Sequence, residues 1–117
     1  MPTKAPIPVP YDFDYSGTIN TPYATPNESL PIKTVRKRMF KGYCRPAGIY
    51  EKTLPVFLDK KDTIYRLYRD FRLIDRTTTE ATLKYYDSFY EILDEPQKVI
   101  KTFYFGCELN HRYLHRE

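Results

Sequence analysis

Two carboxylates flank one aromatic ring near the start of this chain, at Asp12 and Asp14. Residues two apart in a β-strand point to the same face, so a strand here would present both carboxylates together. Hard divalent cations such as Mg²⁺ and Ca²⁺ take oxygen ligands of this kind. The pair therefore predicts a divalent-metal site, which could hold Mg²⁺ against the phosphates of a nucleotide. The alternative is an edge strand whose two carboxylates are solvated.

Basic residues are concentrated in one part of the chain. Residues 32–52 carry seven Lys or Arg and one acid, a net charge of +6, whereas residues 1–31 carry one Lys and three acids, a net charge of −2. Such a cluster can bind a polyanion through phosphate contacts, and neighbouring rings can stack on bases. The alternative is a solvated face, or pairing with acids elsewhere in the fold. We call this set the basic cluster; its members are Lys33, Arg36, Lys37, Arg38, Lys41 and Arg45.

Other reactive side chains in the sequence lack the partners that chemistry needs. His111 and His115 lie four apart, a ligand-pair spacing on a helix, but no third ligand accompanies them. Ser16 has no His or Lys base in a sensible constellation for nucleophilic catalysis. Aromatic and leucine residues recur at helical spacing through residues 83–93, which is more typical of a buried face than of a partner groove. The residues alone therefore predict no catalytic side chain.

Length and composition fit one small domain of 117 residues. Twelve Tyr and seven Phe, with no Trp, mean that its core must be built largely from rings. No stretch approaches the roughly 20 apolar residues of a membrane span, and the first residues show no signal-peptide pattern. We therefore expect no membrane-spanning segment.

The spacing of prolines and apolar residues divides the chain into three regions. Residues 1–31 hold seven of the ten prolines and alternate with period two, which predicts an extended proline-rich arm or edge strand. Helical spacing follows through residues 32–107, and the polar residues 108–117 are expected to form a flexible tail. The predicted fold class is mainly α, with an extended or short β N-terminal arm and four to five helices. Their predicted starts are a basic helix from residue 32, helices on either side of Asp59, and helices capped at Thr77 and Asp94.

The two cysteines, Cys44 and Cys107, can be paired or free. A disulfide between them would close a loop long enough to stabilise the fold by about 4 kcal/mol in the chain-entropy model. Two cysteines do not make a disulfide scaffold, so composition by itself favours free, partly buried thiols.

Several short motifs resemble the C-terminal part of a bacterial family, typical of Bacteroidetes, of distant kinase-like proteins related to the spore coat protein H group. The resemblance begins with the segment Val9-Pro10-Tyr11-Asp12-Phe13-Asp14-Tyr15-Ser16-Gly17 and covers nearly the whole chain. The further matching pieces are Asn20, Tyr23-Ala24, Pro26, Val35-Arg36, Arg38, Gly42, Cys44-Arg45 and Phe105-Gly106-Cys107.

The resemblance implies a role for the carboxylate pair. The Asp-Phe-Asp segment is similar to the Asp-Phe-Gly strand of kinases, which makes Asp12 the magnesium ligand and leaves Asp14, in place of glycine, without a settled role. Family members also resemble this chain in carrying cysteines at both positions, and often have secretion signals. The resemblance therefore keeps a Cys44–Cys107 disulfide and export from a bacterial cell open beside free thiols.

Only eleven residues precede Asp12, too few for a phosphate-covering loop, a strand lysine and a catalytic-loop acid. We therefore expect the C-terminal helical segment of a larger kinase-like phosphotransferase, not catalytic by itself, which binds Mg²⁺ or another divalent cation only with the missing N-terminal region. Its partner would be the remainder of the larger polypeptide, and exposed apolar surface would favour self-association. The alternative is a stand-alone module whose basic cluster, within residues 33–45, binds nucleic acid or an acidic protein.

Overall fold

The computed structural model describes residues 5–107 and divides the chain into two compact units, with the boundary after Lys37. The sequence pattern places this boundary earlier, after residue 31. One hydrogen bond ties the intervening residues to the arm, and a second closes a turn within them. The Arg36 Nε donates to the Gly17 carbonyl over 3.1 Å, and the Lys37 N–H donates to the Thr34 carbonyl over 3.1 Å. The predicted tail, residues 108–117, lies outside the described part of the chain.

The first unit, as far as it is described, consists of turns and extended chain. No helix or strand is assigned between residues 5 and 37, so a short β-strand in the arm is not confirmed. The predicted basic helix is wrong, because residues 33–37 form bends and a turn instead. Ile32, Val35 and Met39 would have formed an apolar face of only about two turns. So short an apolar face gives little packing energy to offset the cost of helix nucleation.

The second unit begins with one long helix, α1, which spans Ala47–Asp70. The prediction of two helices that meet at Asp59 is wrong. Pro55 lies inside α1, although an interior proline costs a helix about 3 kcal/mol or more. The apolar stripe stays in phase across that proline, so a continuous helix keeps its two halves on one face, whereas a break would misalign them. The members of that stripe include Tyr50, Leu54, Phe57, Ile64, Tyr65 and Tyr68.

The second long helix, α2, spans Arg76–Asp94 and is capped by Asp75 rather than by the predicted Thr77. The Asp75 carboxylate accepts the N–H of Thr78 over 2.9 Å and its hydroxyl over 2.6 Å. The first of these bonds satisfies one of the backbone donors that every helix leaves unpaired at its N-terminus.

A short helix, α3, spans Pro96–Val99 and continues into a π-helical turn over Ile100–Tyr104. Its N-cap is Glu95 rather than the predicted Asp94. Pro96 occupies the first turn, where its missing N–H has no cost.

A disulfide joins Cys44, ahead of α1, to Cys107, just beyond the π-helical turn, with 5.0 Å between the two Cα atoms. The described cysteines are therefore both paired.

Aromatic rings fill the small core between the helices. The buried apolar side chains of the described residues are Tyr50, Tyr65, Tyr90, Leu93 and Phe103. The ring of Phe103 lies edge-to-face against that of Phe40, with 4.9 Å between the centroids. The face predicted from residues 83–93 packs into this core, because Tyr90 and Leu93 are buried and Leu83, Tyr86 and Phe89 are partly buried against them.

Two tyrosine hydroxyls of the core find partners across the α1–α2 seam. Tyr65 donates to the Asp87 carboxylate over 2.7 Å, and Tyr90 donates to the Phe57 carbonyl over 2.9 Å. Phe57 pairs with Phe89, and Tyr68, further along α1, pairs with the earlier Tyr86 of α2, so the two helices form an antiparallel hairpin. Rings can therefore fill this interior without leaving a polar atom unpaired.

The described residues confirm a mainly helical fold. They contain three α-helices and one π-helical turn, rather than the predicted four to five helices. Between residues 5 and 107, no helix is both long enough and apolar enough to cross a bilayer.

Candidate functional site

The segment around the predicted metal ligands is a turn, not a strand. Asp12 has a φ of 58°, in the left-handed region that non-glycine residues seldom adopt. The Ser16 N–H then donates to the Phe13 carbonyl over 2.8 Å, which closes a turn over residues 13–16. The prediction that both carboxylates share one face rested on strand geometry, and that geometry is absent from this segment.

Asp14 is fixed by two residues from the following loop. The hydroxyl of Tyr23 donates to the Asp14 carboxylate over 2.8 Å, and the hydroxyl of Thr21 donates to the Asp14 carbonyl over 2.9 Å. The hydrogen bond to this carboxylate is the main cause that raises the pKa of Tyr23. The ring of Tyr15 lies edge-on to that of Tyr23, with 6.0 Å between the centroids. Asp14 therefore has a structural task in this unit.

Asp12 differs from Asp14 in having no such partner. Its side chain is exposed, and within residues 5–107 its carboxylate makes no hydrogen bond or ion pair. Across the same residues, no group of three or more His, Cys, Asp or Glu side chains could hold a metal ion. Asp12 can offer one carboxylate to a cation, and the remaining oxygens would have to come from water, phosphate or another protein segment. The pair His111 and His115 lies outside the described residues.

The basic cluster does not lie within one unit. Lys33, Arg36 and Lys37 belong to the first unit, and Arg38, Lys41 and Arg45 belong to the second. The Arg36 Nε is used in its own unit, where it donates to the Gly17 carbonyl over 3.1 Å. The run of charge in the sequence is therefore not evidence for a single binding face.

Arg38 is the member of the basic cluster whose environment differs most from that of a solvated charge. Its guanidinium donates to the Ser88 hydroxyl and to the Tyr85 carbonyl, both on α2. Its central carbon also lies 3.9 Å from the centroid of the Tyr85 ring. Burial lowers the pKa of Arg38, although an arginine so placed stays charged. This side chain fastens the segment before α1 to α2.

The rest of the basic cluster is more accessible. Lys33, Lys37, Lys41 and Arg45 are exposed, and the guanidinium carbon of Arg45 lies 5.9 Å from the centroid of the Tyr43 ring. An arginine beside an exposed ring is one element of a surface that stacks on nucleic-acid bases. Binding of nucleic acid or of an acidic protein stays a prediction.

A groove on the second unit was missed by the sequence analysis. It has a volume of about 250 Å³ and lies between α1 and the rings that cover the start of that helix. Ile49 and Phe57 on its rim remain substantially exposed. In the sequence, Ile49 lies one position before the start of the α1 stripe. An apolar residue just outside the buried stripe is the only sequence signal for this groove. The lining side chains are Phe40, Ile49, Tyr50, Thr53, Leu54, Phe57, Phe89 and Phe103.

Comparison of this chain with protein-family models, with curated proteins and with solved structures gave no match.

Proposed function

We propose that this chain supplies a divalent-cation-binding turn, with Asp12 as its carboxylate ligand, to a larger kinase-like protein. The observation that carries the proposal is the left-handed backbone of Asp12, with a φ of 58°. A non-glycine residue in this region costs free energy, and such residues cluster at ligand sites where their surroundings hold them in place. This outlier falls on the residue that the family resemblance assigns to magnesium.

The neighbouring contacts support a division of labour between the two carboxylates. Tyr23 and Thr21 hold Asp14 in the turn, whereas the exposed Asp12 has no partner within the described residues. A carboxylate that already accepts a strong hydrogen bond must give it up, or share it, to bind a metal. Asp12 is therefore the ligand, and Asp14 is a positioning residue that stabilises the turn.

The helical unit contributes apolar surface to the proposed larger protein. Leu67 is 66% exposed and Leu73 is 87% exposed, and Ile49, Val56, Phe57 and Phe71 are also exposed. Exposed apolar residues in such numbers mark surfaces that other protein covers. We infer that the remainder of a larger polypeptide covers them.

A titration with Mn²⁺, which broadens nearby NMR signals, tests the cation site on the chain as it stands. Because one carboxylate binds weakly, we expect selective broadening of the amide signals of residues 11–16 at millimolar Mn²⁺. Asp12→Gly keeps a residue suited to φ 58° but removes the ligand, so it should abolish the effect. Asp62→Asn, on an exposed position of α1, is the matched control and should change nothing.

Two results would overturn the cation site: no selective broadening at millimolar Mn²⁺, or the same broadening in Asp12→Gly. The kinase-like context has its own test. We expect the genomic reading frame to extend upstream in phase, and to encode a Gly-rich loop, a strand lysine and a catalytic-loop acid. A promoter directly before Met1 would contradict that context.

A further inference from the structure

The N-terminal arm alternates between residues with a backbone N–H and residues without one. In an extended chain, successive residues direct their N–H and C=O groups to opposite edges. Proline has no N–H, so one edge of this arm has every donor and the other edge has none. The donor-bearing residues are Ile7, Val9 and Tyr11, and the intervening residues are Pro6, Pro8 and Pro10.

The arm is restricted to extended conformations before it binds anything. Each proline fixes its own φ, and each residue ahead of a proline is confined to the β and polyproline regions. The side chains of Ile7, Val9 and Tyr11 are 86%, 75% and 84% exposed. Their N–H groups make no backbone hydrogen bond within residues 5–107. Binding would therefore cost this segment less entropy than it costs an ordinary loop.

The spacing of the prolines favours a strand over a polyproline ligand. A polyproline helix has three residues per turn, so its ligands present prolines three apart on one face. The prolines of the arm are two apart, and a three-residue period would scatter them over every face. A period of two instead places Ile7, Val9 and Tyr11 on one face and all three prolines on the other.

Regular strand geometry ends at Tyr11, because the next residue, Asp12, has a φ of 58°, outside the β region. No strand is assigned anywhere in the described residues, so this part of the chain offers no sheet for the arm to join.

We propose that residues 6–11 form a one-sided β-strand that adds to the open edge of a β-sheet in a partner protein. Ile7, Val9 and Tyr11 would each exchange both backbone hydrogen bonds with the neighbouring strand of an antiparallel pair. Their side chains would extend the apolar face of the partner's sheet. The donor-free proline edge would then face outward and prevent a further strand from adding. The arm is thus a cap for a sheet edge.

A cyclic β-hairpin peptide with one N-methylated edge and one open edge, rich in Thr and Val, is a suitable probe. We expect the full chain to bind it saturably, with shifts in the amide signals of Ile7, Val9 and Tyr11. A peptide N-methylated on both edges should not bind. Val9→Pro removes a donor from the competent edge and should weaken binding at least tenfold. Pro8→Ala makes the matched exchange on the opposite edge and should leave the affinity for the single probe unchanged.

The proposal is overturned if the open-edged peptide gives no saturable shift at millimolar concentration, or if Val9→Pro binds as well as the natural chain. It is also overturned if the chain sediments as a dimer that Val9→Pro dissociates, because the edge would then pair with a second copy. Asp12→Gly should bind the hairpin normally. This inference and the proposed cation site can therefore fail separately.

Discussion

The guanidinium of Arg38 lies over the ring of Tyr85, 3.9 Å from its centroid, and donates a hydrogen bond to the carbonyl of the same residue. One side chain thus contacts the face of a ring and the backbone that carries it. Only a planar cation with several fixed donors can make both contacts while also reaching the Ser88 hydroxyl.

We therefore expect Arg38→Lys to destabilise the second unit by about 1–3 kcal/mol, because lysine keeps the charge but cannot replace the two directed hydrogen bonds. Urea unfolding followed by circular dichroism measures the loss. Arg66→Lys, at an exposed position of α1, is the control and should fall within about 0.5 kcal/mol of the natural chain. Equal effects at the two positions would contradict a structural role for Arg38.

Loss of the disulfide should destabilise the second unit strongly. Cys44 and Cys107 are 63 residues apart, and opening a loop of that length returns about 4 kcal/mol of chain entropy to the unfolded state. We expect Cys44→Ser combined with Cys107→Ser to lower the free energy of unfolding by about 2–5 kcal/mol. The single variants Cys44→Ser and Cys107→Ser are each compared with the natural chain under reducing conditions, where none of the three has the disulfide. Any difference then measures the loss of the side chain and not the loss of the bond. An unchanged urea midpoint in the double variant would refute this prediction.

Alkaline pH should unfold the helical hairpin through its tyrosines. Burial, followed by the hydrogen bond to Tyr86, raises the pKa of Tyr68 to about 12. Burial, followed by the hydrogen bond to Asp87, also raises the pKa of Tyr65. An unfolded tyrosine titrates near pH 10, so above that pH the unfolded state binds fewer protons than the folded state. Stability is therefore complete below about pH 10 and falls as the pH rises toward 12.

Urea midpoints measured between about pH 8 and 12, together with tyrosinate absorbance, test that slope. Tyr68→Phe removes one titrating group and should make the fall shallower. Tyr11→Phe, at an exposed position in the arm, is the control and should leave the slope unchanged. A stability that rises above pH 10 would reverse the sign that burial requires.

The backbone at Asp12 should respond to shape rather than to charge. A β-branched residue with a φ of 58° is sterically strained, so Asp12→Val should destabilise the turn by about 1–2 kcal/mol. Glycine adopts this φ freely, so Asp12→Gly should keep the turn. Amide exchange of the Ser16 N–H, which donates to the Phe13 carbonyl, reports the turn directly. Equal exchange in the two variants would show that the backbone at Asp12 carries no strain.

Periodic patterns in the sequence predicted the buried faces of the helices better than their ends. The buried stripe that includes Tyr90 and Leu93 was predicted correctly, because a spacing of 3.6 residues per turn identifies the same face wherever the ends of the helix are placed. The cap of α2 was misplaced. The residues before Glu80 offer several capping side chains, and the choice of Asp75 depends on the backbone that leads into the helix.

The candidate site was harder to predict than the core. Sequence alone identified Asp12 and Asp14, but not the different environments of their carboxylates. The hydroxyl that fixes Asp14 comes from Tyr23, nine positions away, and a loop of turns brings it there. The contact between Arg38 and Tyr85 was not predicted, because the two residues are 47 positions apart in the sequence. Such contacts depend on tertiary packing, which local spacing does not encode.

The bond between Cys44 and Cys107 also decides how the protein carries mechanical tension. A force applied between the residues before Cys44 and those after Cys107 passes through the two sulfur atoms and bypasses α1 and α2. The helical hairpin is then a loop that bears no load, and stretching could not unfold it while the sulfurs stay joined. Reduction would place the same helices in series with the force.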